Sequence, residues 1–389
     1  MSGASWLVWR HLRHDRKKAV LLALVGGLSI LLPLSVLVIS DAAGRELTRR
    51  ARKSPFLLGL RGSPLELTLA SLYFQGKSPE AFPQVQVMSA REMDLADVIP
   101  LHLEHRIQDV PLVGTESDYF SFRNLRASSG RMLLQSGECV LGANAAGRLS
   151  ASVGDKVLTR AANPFDLAGD YPLRMEVVGI LARTGTPDDD VVFTSIRTSW
   201  IASGLGHGHS TGEDGKGSEM KSEGTNVVYD ASVTEFQEIT DENRASFHFH
   251  GDVSGLPVSA ALLIPKDDKS ATLLEGRFLE KDQVQLVRPS EVVDSLLETV
   301  VRARRIMMIV LVLMSVVMLG VCSLVVALSI QLRREEFLSL ERIGASQATL
   351  RNLILLELMV ILGAALAFAL VVTAFLGMLG RVAVGWMLF

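Results

Sequence analysis

Three long apolar segments constrain what this chain can fold into. They cover residues 19–40, 306–331 and 353–379 and are almost free of charge. A helix of about 20 residues spans the ~30 Å hydrocarbon core of a bilayer. The first segment is longer than the apolar part of a signal peptide, and no small-residue cleavage site follows it before Arg45. We therefore predict three transmembrane helices, the first of them an uncleaved anchor.

The short loop over residues 332–352 predicts the orientation. Basic residues flank the first apolar segment on both sides, so they do not discriminate, and long loops cross a membrane largely regardless of charge. The short loop carries four arginines, at positions 333, 334, 342 and 351. We therefore expect this loop to be cytoplasmic, together with an amphipathic helix over residues 1–18. The segment 41–305 would lie outside, and residues 380–389 would form a short outer or interfacial tail.

The segment 41–305 has the pattern of a mixed α/β domain. Both of its ends have helical signals, which predicts two stalk helices whose basic residues meet outer-leaflet phosphates. Between them, short runs rich in β-branched residues predict strands over 174–181, 191–194 and 257–264. Residues 204–224 are polar and rich in glycine, which favours a flexible insertion. The predicted fold class is therefore a membrane α-helical protein with three transmembrane helices and a mixed α/β extracytoplasmic domain on helical stalks.

Four histidines are candidate metal ligands: His207, His209, His248 and His250. Alternate spacing puts two rings on one face of a strand, which is half of a zinc site, and the acidic run 188–190 could add carboxylates. The competing interpretation is a solvated polar loop, because short histidine-rich tracts are compositional evidence only. A membrane-anchored module that handles metal or haem is thus an alternative function. Cys139 and Cys322 lie in different parts of the chain, and we expect no disulfide between them.

Several other function classes find no support in the sequence. The net charge is −3 and there is no basic stripe, which argues against nucleic-acid binding. The phosphate-binding pattern GxxxxGK followed by Ser or Thr does not occur, nor do the GxSxG and HExxH patterns. We therefore expect a non-catalytic chain that binds no cofactor itself. A signalling receptor is disfavoured because the predicted cytoplasmic loop is only about 20 residues long.

The cytoplasmic loop carries the most specific pattern in the chain. It resembles the permease motif of the MacB/FtsX/LolC group of ABC transporters, R-x-E-x-x-x-L-x-x-[IL]-G-A-[ST], which a glutamate follows at the start of the next helix. By this resemblance the residues that contact the ATPase are Arg334, Glu335, Glu336, Leu340, Ile343, Gly344, Ala345 and Ser346, and the following acid is Glu357.

Two further segments carry the same resemblance. The N-terminal residues 6–24 are similar to the amphipathic helix and basic turn that precede the first span in this group. In the outer segment, the group's G-R…E…G…G-D pattern is matched by Gly130, Arg131, Glu138, Leu141, Gly142, Ala146, Gly154 and Asp155. The group usually has a fourth span, whereas we predict three in this sequence, so statements about that helix are not carried over.

The resemblance implies a permease in the inner (cytoplasmic) membrane. It would act as a homodimer with two copies of a separate ATPase, which bind ATP and magnesium. Closing of the ATPase subunits would move the stalk helices and the outer domain, and so export or extract a substrate. A periplasmic or lipoprotein partner is in keeping with such a function. The histidine pairs would suit zinc, copper or haem-type ligands, and zinc is the metal that we consider for this chain.

Overall fold

The computed structural model describes residues 6, 9–10, 13–14, 16–160, 172–207, 237–249, 252–332, 339, 342 and 346–387. The chain divides into two compact units. One unit, here the membrane unit, contains the residues up to Leu47 and those from Ser295 onward. The other contains Thr48–Asp294 and is called the outer domain below. Most of the predicted helix over 1–18 lies outside the described residues.

Nine helices are described in these ranges. They are α1 (Arg16–Arg52), α2 (Pro64–Tyr73), α3 (Val85–Glu92), α4 (Ser117–Arg123), α5 (Ala143–Leu149), α6 (Ile196–Ala202), α7 (Asp268–Leu279), α8 (Pro289–Leu332) and α9 (Gln347–Met387). Three of them, α1, α8 and α9, contain stretches long and apolar enough to cross a membrane, at Arg16–Asp41, Pro289–Leu328 and Arg351–Met378. The predicted three spans thus correspond to these helices. Helix α9 continues to Met387, beyond the predicted boundary at 379, because residues 380–387 contain no proline to end it.

Small residues bring the helices of the membrane unit together. A Cβ on Gly27 of α1 would lie 2.8 Å from the ring of Phe368 and 3.1 Å from the carbonyl oxygen of Ala365, both on α9, so a side chain at this position would crowd α9. Helix α1 also contacts α8, where the hydroxyl of Ser315 donates to the carbonyl oxygen of Ser29 at 2.6 Å. Ala365 and Ser29 are both buried. Helix α1 therefore contacts both of the other apolar helices, α8 and α9.

The outer domain contains sixteen strands in the described ranges. They are β1 (Phe56–Leu60), β2 (Phe82–Pro83), β3 (Ala96–Leu101), β4 (Arg106–Ile107), β5 (Val110–Thr115), β6 (Ala127–Gly130), β7 (Glu138–Leu141), β8 (Lys156–Leu158), β9 (Leu173–Leu181), β10 (Val192–Ser195), β11 (Gly206–His207), β12 (Gln237–Glu238), β13 (His248–Phe249), β14 (Pro257–Val258), β15 (Ala260–Pro265) and β16 (Val284–Val287).

The first sheet has the strand order β16-β1-β15-β3 and is antiparallel throughout. Strand β1 pairs with β15 on one side and with β16 on the other, so Leu57 lies opposite both Leu262 and Val287. Helices α3 and α7 cover one face, where Val87, Leu274 and Phe278 are buried in the core. Helix α7 begins at a capping residue, since Asp267 accepts a hydrogen bond from the backbone N–H of Ser270.

The second sheet is mixed and has the order β12-β9-β7-β10-β5-β4, with β6 and β8 also paired to β9. Strand β10 runs parallel to β5 and antiparallel to β7. Helix α6 begins directly after β10, where the hydroxyl of Ser195 accepts a hydrogen bond from the backbone N–H of Thr198. The core of this sheet is built from buried aliphatic residues and the free thiol of Cys139, whose pKa is raised by burial. Cys322 is also free.

These two sheets and their helices confirm the predicted mixed α/β class. The predicted strands over 174–181, 191–194 and 257–264 correspond to β9, β10 and β14–β15. Only the start of the predicted flexible insertion over 204–224 is described. Gly204 lies in a turn with φ +72°, and Gly206–His207 form β11, which pairs with β13. The rest of that insertion lies outside the described residues.

Candidate functional site

Seven of the eight residues predicted to contact the ATPase lie outside the described residues. They are Arg334, Glu335, Glu336, Leu340, Ile343, Gly344 and Ala345. Ser346 is described, is exposed and immediately precedes α9, while Glu357 is half-buried within α9. Their part in coupling therefore stays a prediction.

The predicted histidine site is described only in part, because His209 and His250 fall outside the described residues. His207 and His248 stand opposite each other in the pairing of β11 with β13. The Nδ1 atom of His248 is 3.0 Å from the carbonyl oxygen of Ser246. Among the described residues there is no cluster of three or more His, Cys, Asp or Glu side chains that could hold a metal ion.

Two other histidines are structural. His102 Nδ1 lies 2.7 Å from the hydroxyl of Ser199, and His105 Nε2 lies 2.7 Å from that of Ser203. Both rings are buried and 5.9 Å apart. Burial, with the nearby His102 ring, lowers the pKa of His105 to about 4. These rings therefore attach β3 and the residues after it to the end of α6.

The site that sequence analysis did not anticipate is a buried arginine in the last turn of α1. Arg50 is only 5% exposed, and its two Nη atoms donate to the two carboxylate oxygens of Asp188 at 2.7 and 2.9 Å. Its Nε donates to the carbonyl oxygen of Leu72. The guanidinium carbon lies 5.7 Å from the centre of the Phe74 ring. All the polar groups around Arg50 thus act as acceptors for its donors, as a buried cation requires.

Asp188 is equally well held. It is 1% exposed and accepts a hydrogen bond from the hydroxyl of Tyr119 at 2.7 Å and from that of Thr186 at 3.0 Å. Burial by itself raises the pKa of the Asp188 carboxyl, but the charge and hydrogen bonds of Arg50 lower it to about 2. Burial lowers the pKa of Arg50, but Asp188 raises it above its ordinary value. At neutral pH the two groups therefore form a charged pair inside the domain.

A second arginine closes this cluster. Arg123 at the end of α4 donates to the hydroxyl of Ser54 at 2.8 Å, two residues beyond the end of α1. Its guanidinium carbon is 5.8 Å from the centre of the Tyr119 ring. The name "arginine anchor" is used below for Arg50, Asp188, Tyr119, Arg123 and Ser54. These residues fix the end of α1 to two separate parts of the outer domain.

The acidic run 188–190 was predicted as a possible source of metal ligands, and its carboxylates have partners within the protein. Asp188 pairs with Arg50. Asp189 accepts hydrogen bonds from the backbone N–H groups of Thr184 and Gly185 at 2.9 and 2.7 Å. Asp190 accepts from the amide of Asn144 at 3.1 Å. The carboxylates are thus committed to the fold of the outer domain.

The basic residues after the first span were expected to contact lipid phosphates. For Arg50 this prediction is wrong, because its partner is the carboxylate of Asp188. Of the cations after the first span, Arg50 alone is buried among the described side chains. A partial signal was present in the sequence, since a buried arginine needs an acid and the run 188–190 is the densest acidic cluster. Nothing in the sequence tied one to the other.

The outer-domain segment that carries the family resemblance has a structural function. Arg131 donates to the carboxylate of Glu138 at 2.8 and 2.5 Å, and the backbone N–H groups of Leu134 and Gln135 donate to the same carboxylate at 2.9 and 3.1 Å. Burial raises the pKa of Glu138, but Arg131 and these N–H groups lower it below the usual value. Glu138 thus fixes the loop between β6 and β7.

Gly142 in the same segment positions the arginine anchor. A Cβ there would lie 2.4 Å from the carbonyl oxygens of both Asp188 and Asp189. The backbone N–H of Gly142 donates to the carbonyl oxygen of Val191 at 2.9 Å. Only glycine therefore lets the turn that carries Asp188 lie against the start of α5.

Comparison with known proteins agrees with this architecture. The family model described as the MacB-like periplasmic core domain matches residues 35–240, more than half of the chain. No curated protein gives a significant match. One similar structure is the periplasmic region of MacB from Actinobacillus actinomycetemcomitans, with 11% identity, 65% of this chain and 97% of that chain covered, and a TM-score of 0.36. Another is the extracellular domain of the noncanonic ABC-type transporter YknZ from Gram-positive bacteria, with 13% identity, coverage of 60% and 98%, and a TM-score of 0.32.

The family match joins the two units of the chain in one interpretation. The matched residues begin within α1 and include all five residues of the arginine anchor. The three apolar helices supply the membrane part. The chain therefore belongs to the family of ABC transporter permeases that carry a MacB-like periplasmic core domain.

Proposed function

We propose that this chain couples ATP hydrolysis by a separate ATPase to movement of its outer domain, without passing a solute through its own helices. In this proposal two copies of the chain form a homodimer in the inner membrane, with the N-terminus in the cytoplasm. The loop over residues 332–352 contacts the ATPase. The outer domain exports or extracts a substrate that has already reached the outer side.

The observation that carries the proposal is the arginine anchor. Helix α1 runs without interruption from Arg16 to Arg52, and its last turn is inside the outer domain, where Arg50 is buried against Asp188. Helix α8 also begins within this domain, where Val293 is completely buried. A helix that ends in a packed interior cannot shift along its axis without displacing the elements around that end, because protein interiors are close-packed. The anchor therefore suits transmission of movement.

Contacts inside the membrane unit support coordinated movement of its helices. The hydroxyl of Ser315 on α8 donates to a carbonyl oxygen of α1, and Arg304 on α8 donates to the hydroxyl of Ser40 on α1 at 3.3 Å. Gly27 of α1 lies against α9. A displacement that begins at the loop between α8 and α9 would thus reach α1.

The exposed apolar surface of α8 is in keeping with a second copy and with lipid. Large side chains over most of α8 are exposed, among them Ile309 at 64%, Leu313 at 63% and Leu324 at 71%. Exposed apolar surface of this extent requires lipid or a partner helix. We propose that part of it contacts the same helix of a second copy.

The test uses the complete transporter, reconstituted with the ATPase that co-purifies with it. We expect Glu336→Arg or Gly344→Trp to abolish the stimulation of ATP hydrolysis by the permease, while Glu280→Arg, an exposed charge reversal in the outer domain, leaves it unchanged. Circular dichroism of each purified variant checks that the outer domain stays folded. Normal co-purification and normal stimulation in both loop variants would show that this loop is not the contact with the ATPase.

A zinc-linked function is the second candidate, favoured by the opposed positions of His207 and His248. Titration of the purified transporter with zinc measures it directly. We expect the double variant His207→Ala, His248→Ala to lose a zinc site that the wild type has. Equal zinc binding by both proteins, or by neither, removes this candidate.

A further inference from the structure

An open cleft in the outer domain lies apart from the arginine anchor. Its volume is about 1060 Å³, and its walls are α4 with the residues that follow it, the loop 132–136, and the start of α6. Phe249 and Val253 also line it. Pockets for small ligands generally have volumes of about 300–1,000 Å³ and enclose most of their ligand. The volume of this cleft is slightly above that range, which suits a longer ligand.

One wall of the cleft is held rigid before any ligand binds. The carboxylate of Glu138 accepts the N–H groups of Leu134 and Gln135, as described above, and the hydroxyl of Thr198 accepts the N–H of Gly137 at 3.0 Å. The side chain of Leu134 is nevertheless 76% exposed. An exposed leucine side chain contributes the free energy of apolar burial only when another molecule covers it. The wall is therefore preorganised for contact with an apolar group.

The floor of the cleft is aromatic. Trp200 is 2% exposed and its indole N–H donates to the carbonyl oxygen of Pro257 at 2.7 Å, so its position is fixed. Phe249 meets it edge-on, with the ring centres 5.8 Å apart. Phe120 of α4 also lines the cleft. Trp200 and Phe120 are buried, so among these rings it is the half-buried Phe249 that presents apolar surface to the cleft. Ser121, Asn124 and Gln135 add hydroxyl and amide groups to the lining.

A buried acceptor in the lining has no partner. Gln84 is 8% exposed, and within the described ranges its Oε1 atom makes no hydrogen bond. Leaving a buried carbonyl oxygen unpaired costs roughly 1–3 kcal/mol. The loss is recovered when a ligand brings an N–H donor to this atom. A polypeptide backbone supplies such donors at every second residue along one side of an extended strand.

The cleft is also positively charged. Arg126 and Arg197 are both exposed in its lining, and in the described part of the chain no carboxylate lies within ion-pair distance of either. The guanidinium of Arg197 instead lies 5.5 Å from the centre of the Phe249 ring. The acidic residue of the lining, Glu116, is paired with Arg91 at 2.5 Å. The net field of the cleft thus favours an anion.

We propose that this cleft binds an extended polypeptide segment in which apolar side chains alternate with acidic ones. The apolar side chains would cover Leu134 and Phe249, a backbone N–H would pair with Gln84, and the carboxylates would meet Arg126 and Arg197. An acyl chain fits less well, because polar groups interrupt the apolar lining throughout. The inference deepens the proposed function by naming a protein segment as what the outer domain grips. Binding itself needs no ATPase, so its failure is distinct from failure of coupling.

The test is a binding measurement on the full chain in nanodiscs. Phenylalanine replaces Trp6, Trp9 and Trp386, so that Trp200 is the remaining tryptophan and reports on the cleft. An array of random peptides about nine residues long is screened first, and retained sequences are then titrated by Trp200 fluorescence. We expect enrichment of peptides that combine leucine or phenylalanine with aspartate or glutamate.

Variants decide whether the cleft is responsible. We expect the double variant Arg126→Glu, Arg197→Glu to weaken binding of the acidic peptides at least tenfold, while Arg277→Glu, an exposed arginine on α7, leaves it unchanged. Gln84→Met should weaken peptide binding. It should also raise the thermal stability of the unliganded protein, because it removes the unpaired buried oxygen. A residue with a purely structural function would not combine weaker binding with higher stability. Absence of enrichment, or equal loss in the double variant and Arg277→Glu, overturns the proposal. So does full displacement of bound peptide by oleate at equal concentration, since that result assigns the cleft to a lipid.

Discussion

The arginine anchor gives the sharpest prediction, because a single substitution strands a charge in the interior. Arg50→Met removes the cation but leaves the Asp188 carboxylate, which is 1% exposed, without its counter-charge. Breaking a buried ion pair from one side costs about 3–5 kcal/mol. The lowering of the Asp188 pKa from 3.8 to about 2 is in keeping with this, since it corresponds to about 2 kcal/mol in favour of the charged form.

The assay is urea unfolding of the full chain in nanodiscs, followed by Trp200 fluorescence in the single-tryptophan background. Arg52→Met is the matched control, because Arg52 lies in the same turn but is exposed. We expect Arg50→Met to unfold at clearly lower urea and Arg52→Met to change stability by less than about 0.5 kcal/mol. The double variant Arg50→Met, Asp188→Asn should regain most of the loss, because an uncharged pair leaves no buried ion.

The same pair sets a sign for the effect of pH. A carboxyl whose folded pKa is lowered stabilises the protein above its unfolded pKa and loses that effect as pH falls through the folded value. The contribution of Asp188 is therefore present above about pH 4 and is lost towards pH 2. If Arg50→Met and Arg52→Met unfold at the same urea concentration, the anchor does not stabilise the domain and the reasoning is refuted.

Three other predictions follow from single positions. Burial lowers the pKa of His105 from 6.5 to about 4, so the unfolded chain binds a proton at a higher pH than the folded chain does. The free energy of unfolding therefore falls as pH drops from about 6.5 to 4, by about 3 kcal/mol in all. Unfolding measured across this pH range should show the fall, and His105→Asn should flatten it. Gly142→Ala would place a methyl group 2.4 Å from carbonyl oxygens of the turn 187–190 and should cost more than about 2 kcal/mol, whereas Gly147→Ala, where a Cβ meets nothing within 4 Å, should stabilise by up to about 1 kcal/mol; equal thermal midpoints would contradict both. Gly27→Leu should force α1 away from α9 and lower the yield of folded protein from detergent, and a crosslink between these helices that forms as in wild type would count against it.

The parts of the fold that could be predicted are those with a local cause. A membrane helix requires about 20 consecutive apolar residues, so α1, α8 and α9 follow from the sequence directly. Strand β9 is likewise predictable, because Val177, Val178 and Ile180 lie together in a run bounded by turns. The resemblance of the segment from Gly130 to Asp155 indicated the family, although the structure assigns a structural function to its Arg131 and Glu138.

The parts that escaped prediction depend on distant partners. Arg50 is one of several cations after the first span, and no local pattern marks it as the buried one, since its acid is at position 188. The cleft is similar, because Gln84, Leu134 and Phe249 meet only when three separate parts of the chain fold together. Hydrophobic periodicity predicts single helices and strands, whereas these features form between elements that are distant in the sequence.

The pairing of β1 sets the order in which the outer domain can fold. Strand β1 lies between β15 and β16, so Leu57 has neither of its strand partners until residues 262 and 287 have been made. At a synthesis rate of about 5–20 residues per second, that delay is on the order of 10 to 40 seconds. During this time an apolar strand with two unpaired edges is exposed and prone to pair wrongly. The first sheet can therefore close only after nearly the whole domain has been made.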